Sequence, residues 1–478
     1  MNTIQNLDIS ALNVESKVVE ADIDVILEKE LASFDKKIIV LDDDPTGTQT
    51  VHNVFVYTNW EEATLLEAFR AKEPLFYVLT NSRSFSEEHT VKVHAEIAKN
   101  IQKVGEMTGT EFLIISRGDS TLRGHYPLET KVLKQTLEKQ GTIRYDGEII
   151  CPFFIEGGRF TLQDIHYVQE GATLIPAGRT DFAKDKTFGY ESSDLGQYIE
   201  EKSNGEYTKE SCVSISLEEL RGGEVDVITK KLLQVTDFRK VIVNAVSYID
   251  LKVFTVAWLR VMNEGKNFLV RSAAGVPKII GGITERPLLK KEEVTRLHQQ
   301  TGGLIVIGSH VKKTTLQFQA LQTIKSDLTF IEFDVEAYKK DGSFDLEVTK
   351  ILEQVNKLLQ NGQSVVIYTS RKLSQIETTD KEEILALSVK ISEALTGIVR
   401  KLSVEPRFLI AKGGITSSDI ATKGLTIRCA LVLGQIKPGI PVWKTQEEST
   451  FVQMPYIIFP GNVGNIDTLK EIVEELSE

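Results

Sequence analysis

The stretch FLIISRGDSTLRGHY, residues 112–126, decides the predicted fold, because an apolar segment runs directly into a loop rich in charge and hydroxyl groups. Its first four residues are apolar and partly β-branched, which is typical of a strand in a sheet covered on both faces. The loop that follows contains Arg117, Asp119, Ser120, Thr121 and Arg123. Ligands of open α/β sheets bind beyond the carboxyl ends of the strands. We therefore predict a ligand site in this loop rather than a solvated turn.

Two earlier segments repeat the pattern of a buried strand followed by polar residues. The strand predicted at 37–41 ends in Asp42, Asp43 and Asp44, and three consecutive carboxylates repel one another unless cations or hydrogen-bond donors meet them. The strand predicted at 75–79 ends in a polar turn that contains Arg83. Helical periodicity separates the later strands, as in βαβ units. The three loops together predict one site at one edge of a sheet.

Three turns in the second half of the chain also follow predicted strands, at 304–307, 408–411 and 456–459. A glycine-rich turn between a strand and a helix can present backbone N–H groups to phosphate, although none of these has the full spacing of a Walker loop. We favour phosphate binding over purely structural turns. The residues concerned are Ser309, Lys412, Gly413, Gly414, Ile415, Thr416, Gly461 and Asn462.

The composition is that of a folded protein with 41% hydrophobic and 26% charged residues. A net charge of −12 argues against non-specific nucleic-acid binding, which requires a cationic surface. No apolar run is long enough to span a membrane, and the polar start does not resemble a signal peptide. Three widely spaced cysteines without metal-ligand spacing are typical of reduced thiols. We therefore expect a cytoplasmic protein in which local arginines hold any anionic ligand.

The length of 478 residues predicts at least two domains. The fold class is α/β, with two domains that are each a mostly parallel sheet flanked by helices. The expected divisions are an N-terminal helical extension at 1–35, a first domain at 36–290 and a second at 300–478. Glycines and a proline followed by a charged run mark the boundary at about 286–302. A polar loop at 179–191 is long enough to cover a site.

The motifs LDDDPTGT (41–48), SRGDSTLRG (116–124), KGGITSSDI (412–420) and PGNVG (460–464) give the chain a resemblance to the four-carbon acid sugar kinases. These ATP-dependent enzymes phosphorylate acids such as threonate, erythronate and 3-oxo-tetronates. The resemblance implies a first domain that binds the sugar acid, a second that binds ATP, and an active site in the cleft between them. The chain departs from the usual pattern at Pro45, Arg117 and Val311, so the resemblance does not identify the particular acid.

The resemblance also implies roles for individual residues. Substrate contacts fall on Asp43 or Asp44, Arg83, Asp119, Ser120, Thr121 and Arg123. Nucleotide contacts fall on Ser309, Gly413, Gly414, Thr416, Gly461 and Asn462. ATP implies Mg²⁺, for which the sequence shows no metal site beyond Asp43 and Asp44 as candidate contacts.

A kinase must hold an acid, hold phosphates and accept a hydroxyl proton, and the residue types present allow all three. Arginines such as Arg83, Arg117 and Arg123 can grip a carboxylate, while Lys412 and the amides of the glycine turns can hold phosphates. Asp119 is the preferred proton acceptor or orienting group, with Asp43 or Asp44 as the fallback.

Two other functions compete with a kinase. One is an NAD-dependent hydroxy-acid oxidoreductase, although no GxGxxG motif opens a helix after a strand. The other is a two-lobed sensor that binds a carboxylate and a nucleotide without catalysis. A homodimer is compatible with the sequence, but no segment marks an interface.

Overall fold

The computed structural model describes residues 4–141, 143–296, 299–325, 327–338, 343–370 and 381–477. The chain divides into two compact units, the first formed by residues 1–51 and 59–285 and the second by 52–58 and 286–478. Strands and helices alternate in both, so the predicted α/β class with mostly parallel sheets and flanking helices is confirmed.

The elements of the chain are numbered here in chain order. The strands are β1 (Leu7–Asp8), β2 (Lys37–Asp42), β3 (Val54–Tyr57), β4 (Leu75–Leu79), β5 (Phe112–Arg117), β6 (Gly147–Cys151), β7 (Arg159–Leu162), β8 (Ile165–Glu170), β9 (Thr173–Pro176), β10 (Val213–Ile215), β11 (Arg239–Val243), β12 (Phe268–Ser272), β13 (Leu304–Ile307), β14 (Leu328–Phe333), β15 (Ser364–Thr369), β16 (Leu409–Lys412), β17 (Cys429–Lys437), β18 (Ile440–Thr445) and β19 (Pro455–Phe459). The α-helices are α1 (Glu20–Ala32), α2 (Glu62–Arg70), α3 (Glu87–Thr108), α4 (Leu128–Gln140), α5 (Leu195–Lys202), α6 (Leu217–Gly222), α7 (Val225–Leu233), α8 (Tyr248–Asn263), α9 (Gly275–Ile280), α10 (Lys291–Val294), α11 (Lys312–Leu321), α12 (Asp345–Gln360), α13 (Lys381–Arg400), α14 (Gly414–Asp419) and α15 (Thr468–Ser477). In the described residues, no helix has the length and hydropathy needed to cross a bilayer.

The main sheet of the first unit is parallel, with strand order β10-β11-β6-β12-β5-β2-β4. Every residue of β2 and β4 is buried. Parallel strands need helical crossovers that cover both faces, so their apolar runs are continuous rather than alternating. Asp42 at the end of β2 pairs in register with Arg117 of β5 and with Leu79 of β4. The three loops singled out in the sequence therefore leave the same edge of this sheet.

A small antiparallel sheet of order β1-β9-β8-β7 also belongs to the first unit, and the sequence analysis does not predict it. Its β7–β8 hairpin turns at Gln163 and Asp164, whose φ angles are 50° and 63°. Two positive φ angles match the twist of paired strands, but the turn lacks the glycine that usually signals it. Because the strands are short and mix polar with apolar residues, their pattern does not predict a sheet.

The N-terminal extension is helical only in part. Leu7 and Asp8 pair with β9, and α1 begins at Glu20. Helix α1 buries Ile23 and Leu27 and packs on α8. Its acidic face forms ion pairs with Lys252 and Arg260 of α8. Helix α1 is thus part of the first unit's fold.

The sheet of the second unit is mixed, with strand order β3-β17-β18-β19-β16-β13-β15-β14. The strands from β19 to β14 are parallel, whereas β3, β17 and β18 form the antiparallel part. The sequence analysis predicts strands at the positions of β13, β16 and β19 but does not predict β14, β17 or β18. Burial alternates along β17, as it does in a strand with one more accessible face.

Candidate functional site

The acidic turn after β2 is fastened to Arg83, which follows β4. Nε and Nη2 of Arg83 donate to the two carboxylate oxygens of Asp43 at 3.1 and 2.6 Å, and Nη1 lies 3.4 Å from Asp44 Oδ2. Asp44 also accepts a hydrogen bond from the Thr46 N–H at 2.8 Å. Burial raises the pKa of Asp43, although Arg83 opposes the shift. Protein donors therefore occupy the two predicted catalytic carboxylates of this turn, and their catalytic role stays a prediction.

Arg117 lies at the end of β5 and pairs with Asp42. Its Nη1 is 3.2 Å from Asp42 Oδ1, and Nη2 donates to Gln49 Oε1 at 3.4 Å. Burial raises the pKa of Asp42 to about 8, against the effect of the Arg117 charge. Only 3% of the Arg117 side chain is exposed, so its contacts are with the protein. Its predicted contact with substrate stays a prediction.

Asp119 is held by its own loop in a way that leaves one oxygen available. Its Oδ2 accepts hydrogen bonds from Thr121 Oγ1 and, at 2.7 Å, from Arg123 Nε. In the described part of the chain, nothing donates to Oδ1 of Asp119. Burial raises the pKa of Asp119, but Arg123 and Arg83 outweigh it and hold that pKa well below its usual range. Asp119 is therefore a fixed anion at neutral pH.

The backbone of this loop has a conformation that side chains from the following segment support. Leu122 has φ 67°, a left-handed conformation that is strained for a leucine. The hydroxyls of Tyr190 and Tyr198 donate to the carbonyl oxygens of Thr121 and Leu122 at 2.7 and 2.9 Å. These bonds fix the direction of Thr121, and through it the orientation of the Asp119 carboxylate.

Arg271 and Glu129 belong to the same region and are missed by the sequence analysis. Arg271, on β12, donates from Nη1 to Ser116 Oγ at 2.9 Å and to Glu129. Glu129 also accepts from Ser82 Oγ at 2.5 Å, so one buried carboxylate links β12 to the Arg83 turn. A Cβ at Gly118 would lie 2.1 Å from Arg271 Nη2, which explains the glycine at that position. Arg271 was missed because it stands inside an apolar strand rather than after one.

His166 contacts the backbone of the Asp119 loop at Ser120. It is fully buried, with Nε2 2.8 Å from the Ser120 carbonyl oxygen and Nδ1 3.0 Å from Thr161 Oγ1. Burial lowers the pKa of His166 to about 4, so the ring is neutral at pH 7. A neutral ring can donate from Nε2 and accept at Nδ1, which matches both contacts. The position of Ser120, a predicted substrate ligand, therefore depends on β8 of the small sheet.

The glycine turns of the second unit converge at the carboxyl ends of β13, β16 and β19. A Cβ at Gly413, where φ is 117°, would lie 2.7 Å from Ser309 Cβ, so the two turns approach closely only with glycine at 413. Thr314 Oγ1 is 3.3 Å from Ser309 Oγ and 3.4 Å from the Gly461 carbonyl oxygen. Three turns that are distant in sequence thus form one cluster.

Lys412 lies beneath this cluster. Its ammonium group is fully buried, donates to the Pro460 carbonyl oxygen at 2.5 Å and to that of Gly461 at 3.4 Å, and stacks on Phe459 at 3.9 Å. Burial lowers the pKa of Lys412 to about 6, and Lys313 adds to the effect. Lys412 therefore anchors the last turn, and its predicted contact with phosphate stays a prediction.

The remaining predicted nucleotide ligands surround the same cluster. Gly414 and Ile415 open helix α14, and 67% of the Ile415 side chain is exposed. A Cβ at Gly308 would lie 2.3 Å from Thr416 Oγ1, which places that hydroxyl against the first turn. The Asn462 carbonyl oxygen accepts from Lys313 Nζ at 3.1 Å. The structure therefore brings all the predicted residues of this unit to one edge of its sheet.

Two family models match the chain in the order that the two units follow. The model described as a sugar-binding N-terminal domain matches residues 38–280, just over half of the chain. The model described as a nucleotide-binding C-terminal domain matches residues 304–469. The chain belongs to the four-carbon acid sugar kinase family. The resemblance noted in the sequence is thus confirmed.

Solved structures show that the fold is shared at low sequence identity. A Haemophilus influenzae protein of the DUF1537 family is 16% identical, with a TM-score of 0.60 over 92% of this chain and 100% of its own. A Salmonella typhimurium protein described provisionally as a tRNA synthase is 15% identical, with a TM-score of 0.66 over 92% of this chain and 98% of its own. Curated protein sequences give no significant match.

The family match covers both clusters of this four-carbon acid sugar kinase family member. The sugar-binding match includes the Asp119 loop and the Arg83 turn, and the nucleotide-binding match includes the turns at Ser309, Gly413 and Gly461. The nucleotide-binding match thus includes the glycine turns that the structure brings together.

Asp43 and Asp44, the candidate Mg²⁺ contacts, are engaged by donors of the protein. Both oxygens of Asp43 are bonded to Arg83, and Asp44 contacts Arg83 and caps a turn. Over the ranges that the structure describes, no group of three or more His, Cys, Asp or Glu residues is arranged to hold a metal ion.

Proposed function

We propose that this protein is an ATP-dependent kinase that transfers the γ-phosphate to a hydroxyl of a four-carbon sugar acid of the threonate, erythronate or 3-oxo-tetronate type. The family already supports a protein that binds a sugar and a nucleotide. The observation that carries the further step is the state of Asp119. This carboxylate is ionised, held on one oxygen by Thr121 and Arg123, and open on the other.

Such a carboxylate is suited to orient a hydroxyl group. Oδ1 of Asp119 can accept a hydrogen bond from the reacting hydroxyl, which directs the oxygen lone pair toward the phosphorus. A strongly lowered pKa makes Asp119 a weak base. Phosphoryl transfer proceeds through a loose transition state in most analyses, so early removal of the proton is not required. We therefore assign Asp119 mainly an orienting role.

ATP, when bound, supplies the phosphoryl group, and the second unit offers residues to hold it. Backbone N–H groups of Gly414, Gly461 and Asn462 are the proposed phosphate contacts, supported by the hydroxyls of Ser309 and Thr416, while the Gly413 N–H is used by the Phe459 carbonyl oxygen. A Cβ at Gly461 would have only ordinary contacts, at 3.5 Å or more, so this glycine is not required by packing. Its small size is consistent with close approach of a ligand.

ADP release is the direct test of this proposal. The full-length protein is incubated with ATP, Mg²⁺ and each of threonate, erythronate and a 3-oxo-tetronate, with threitol and erythritol as matched polyols that lack the carboxylate. We expect acid-dependent ADP formation with at least one acid and none with the polyols. ADP formation that never exceeds the rate without acid would contradict a kinase of this substrate class.

A thermal-shift comparison separates the kinase from the alternatives. We expect ATP to stabilise the protein, whereas stabilisation by NAD alone would favour the hydroxy-acid oxidoreductase. Stabilisation by ATP and acid without any turnover would favour the sensor. A cytoplasmic location and a homodimer remain predictions from the sequence. Light scattering of the purified protein measures its oligomeric state.

A further inference from the structure

Arg159, the first residue of β7, has an unusual set of contacts. Its backbone is fixed, since it exchanges two hydrogen bonds with Phe154 at 3.1 and 2.9 Å. In the side chain, Nη1 donates to the Gly157 carbonyl oxygen. Nε is enclosed by protein and has no acceptor. Such an orphaned donor is costly because it has lost water without gaining a partner.

The charge of Arg159 is also unmatched. Each of the other arginines around the candidate site has a carboxylate partner. Those pairs are Arg83 with Asp43 and Asp44, Arg117 with Asp42, Arg123 with Asp119, and Arg271 with Glu129. No Asp or Glu of the described residues forms an ion pair with Arg159. A guanidinium that is partly desolvated and unpaired is destabilising unless an external anion joins it.

Phe182 places Arg159 beside the Asp119 loop. The guanidinium groups of Arg123 and Arg159 both stack on the Phe182 ring, at 5.0 and 5.6 Å from its centroid. Burial lowers the pKa of Arg159, while the charge of Asp119 raises it, so the two groups are close enough to interact. Stacking on a ring fixes the plane of a guanidinium, which is a condition for bidentate recognition.

We propose that Arg159 binds the carboxylate of the sugar acid and so determines specificity for acids over neutral polyols. This inference rests on the proposed function. Nε is enclosed and Nη1 is held by Gly157, so Nη2 is the nitrogen that can donate to a carboxylate oxygen. The acid then supplies the carboxylate partner that Arg159 lacks among the described residues, and a hydroxyl of the same small molecule reaches Asp119. Arg83, Arg117 and Arg123, which the sequence analysis offers for the carboxylate, already have carboxylate partners in the protein.

Isothermal titration of the full-length protein without nucleotide tests the assignment. The probes are threonate and erythronate, each compared with threitol and erythritol. Arg159→Met should lower the affinity for the acid that binds wild type by about 10- to 100-fold, as expected for loss of a charged hydrogen-bonded pair. Affinity for the polyols should not change. Arg159→Lys should recover only part of the loss, because lysine keeps the charge but lacks the planar guanidinium that stacks on Phe182.

Arg179→Met is the matched control, because Arg179 lies in the same unit and contacts only the exposed Asn6 side chain. It should bind acids as wild type does. The melting temperature separates binding from folding: without ligand, Arg159→Met should melt at the same or a higher temperature than wild type, since it removes an unpaired charge. A lower melting temperature with unchanged acid affinity would mean a structural role and would overturn the proposal.

Four further outcomes distinguish this inference from the proposed kinase. If Arg159→Met weakens ATP binding and leaves acid binding unchanged, the anion at Arg159 is a phosphate and the proposal is wrong. If wild type releases ADP with an acid and Arg159→Met binds that acid equally well, this inference fails and the kinase stands. If the acid binds through Arg159 but no ADP forms, the kinase fails and this inference stands. If neither of these acids nor a 3-oxo-tetronate binds to wild type, both fail.

Discussion

Replacing Asp119 by asparagine removes the negative charge of the proposed orienting group with little change in shape. In the wild-type protein Oδ2 of Asp119 accepts from Thr121 and Arg123, and Oδ1 accepts from no described residue. An asparagine can keep one acceptor toward Arg123, but its amide then presents N–H donors where Oδ1 stood. The reacting hydroxyl would lose its acceptor, and the loop would gain one net positive charge.

The two consequences act on different kinetic parameters. Loss of the acceptor should lower kcat by about a hundredfold or more, which corresponds to about 2.7 kcal/mol of transition-state stabilisation. Removal of a carboxylate beside Arg123 and Arg83 makes the loop more attractive to an anion. The KM for the sugar acid should therefore stay the same or fall, and ATP affinity should not change.

Steady-state ADP release with the active acid measures both parameters, and titration of the acid without nucleotide measures binding alone. Asp185→Asn is the control, since Asp185 lies 3.7 Å from the same Arg123 but makes no contact with Thr121. It should retain most of the wild-type kcat. If Asp119→Asn keeps more than about a third of wild-type turnover, or weakens acid binding as much as it lowers kcat, the orienting role is wrong.

Three other variants test separate parts of the structure. Gly461→Ala should fold normally, because its Cβ would meet nothing closer than 3.5 Å, but it should lower ATP affinity by about tenfold or more if phosphates approach that backbone. Gly397→Ala is the control, because a Cβ at Gly397 would lie in open space. Equal ATP affinity in the two variants would remove Gly461 from the nucleotide site. His166→Gln should reduce the dependence of the unfolding free energy on pH. The pKa of His166 is about 4 in the folded protein and about 6.5 in the unfolded chain, so the residue contributes about 3 kcal/mol of stability above pH 6.5 that is lost as the pH falls through 4. Parallel curves of stability against pH for the variant and wild type would contradict this. Lys412→Met should remove a rise in stability between pH 6 and 10.5, because over that range the unfolded chain binds the lysine proton and the folded chain does not. It should also lower ATP affinity, because the Pro460 carbonyl oxygen loses its hydrogen bond from Lys412. Unchanged ATP affinity would show that this anchor is dispensable.

The sequence analysis finds the residues that stand directly after parallel strands. Asp43, Arg83 and Asp119 are found because β2, β4 and β5 are continuous apolar runs that end abruptly. In a parallel sheet the carboxyl ends of such strands share one edge, so proximity follows from topology alone. The glycine turns of the second unit, at Ser309 and Gly413, are found for the same reason.

The residues that the sequence analysis does not assign to the site lie where no strand end marks them. Arg271 is inside β12, and Glu129 is in the first turn of α4, so neither has a local signal. Arg159 and His166 come from the small antiparallel sheet, whose hairpin lacks the usual turn residues. Their roles depend on pairings between distant segments, which spacing along the chain does not encode.

The motifs LDDDPTGT and SRGDSTLRG of the first unit contain residues that contact only other protein groups and residues that can contact a ligand. The packing around their glycines helps to tell the two kinds apart. A Cβ at Gly47 would lie 1.9 Å from Asp42 Oδ2, and one at Gly118 would lie 2.1 Å from Arg271 Nη2. These glycines make room for buried charged side chains that contact other protein groups, so their identity is explained without a ligand. Asp119 is different, because its second oxygen has no protein partner among the described residues. In the SRGDSTLRG motif, therefore, the unpaired and accessible oxygen of Asp119 is the feature that a ligand explains.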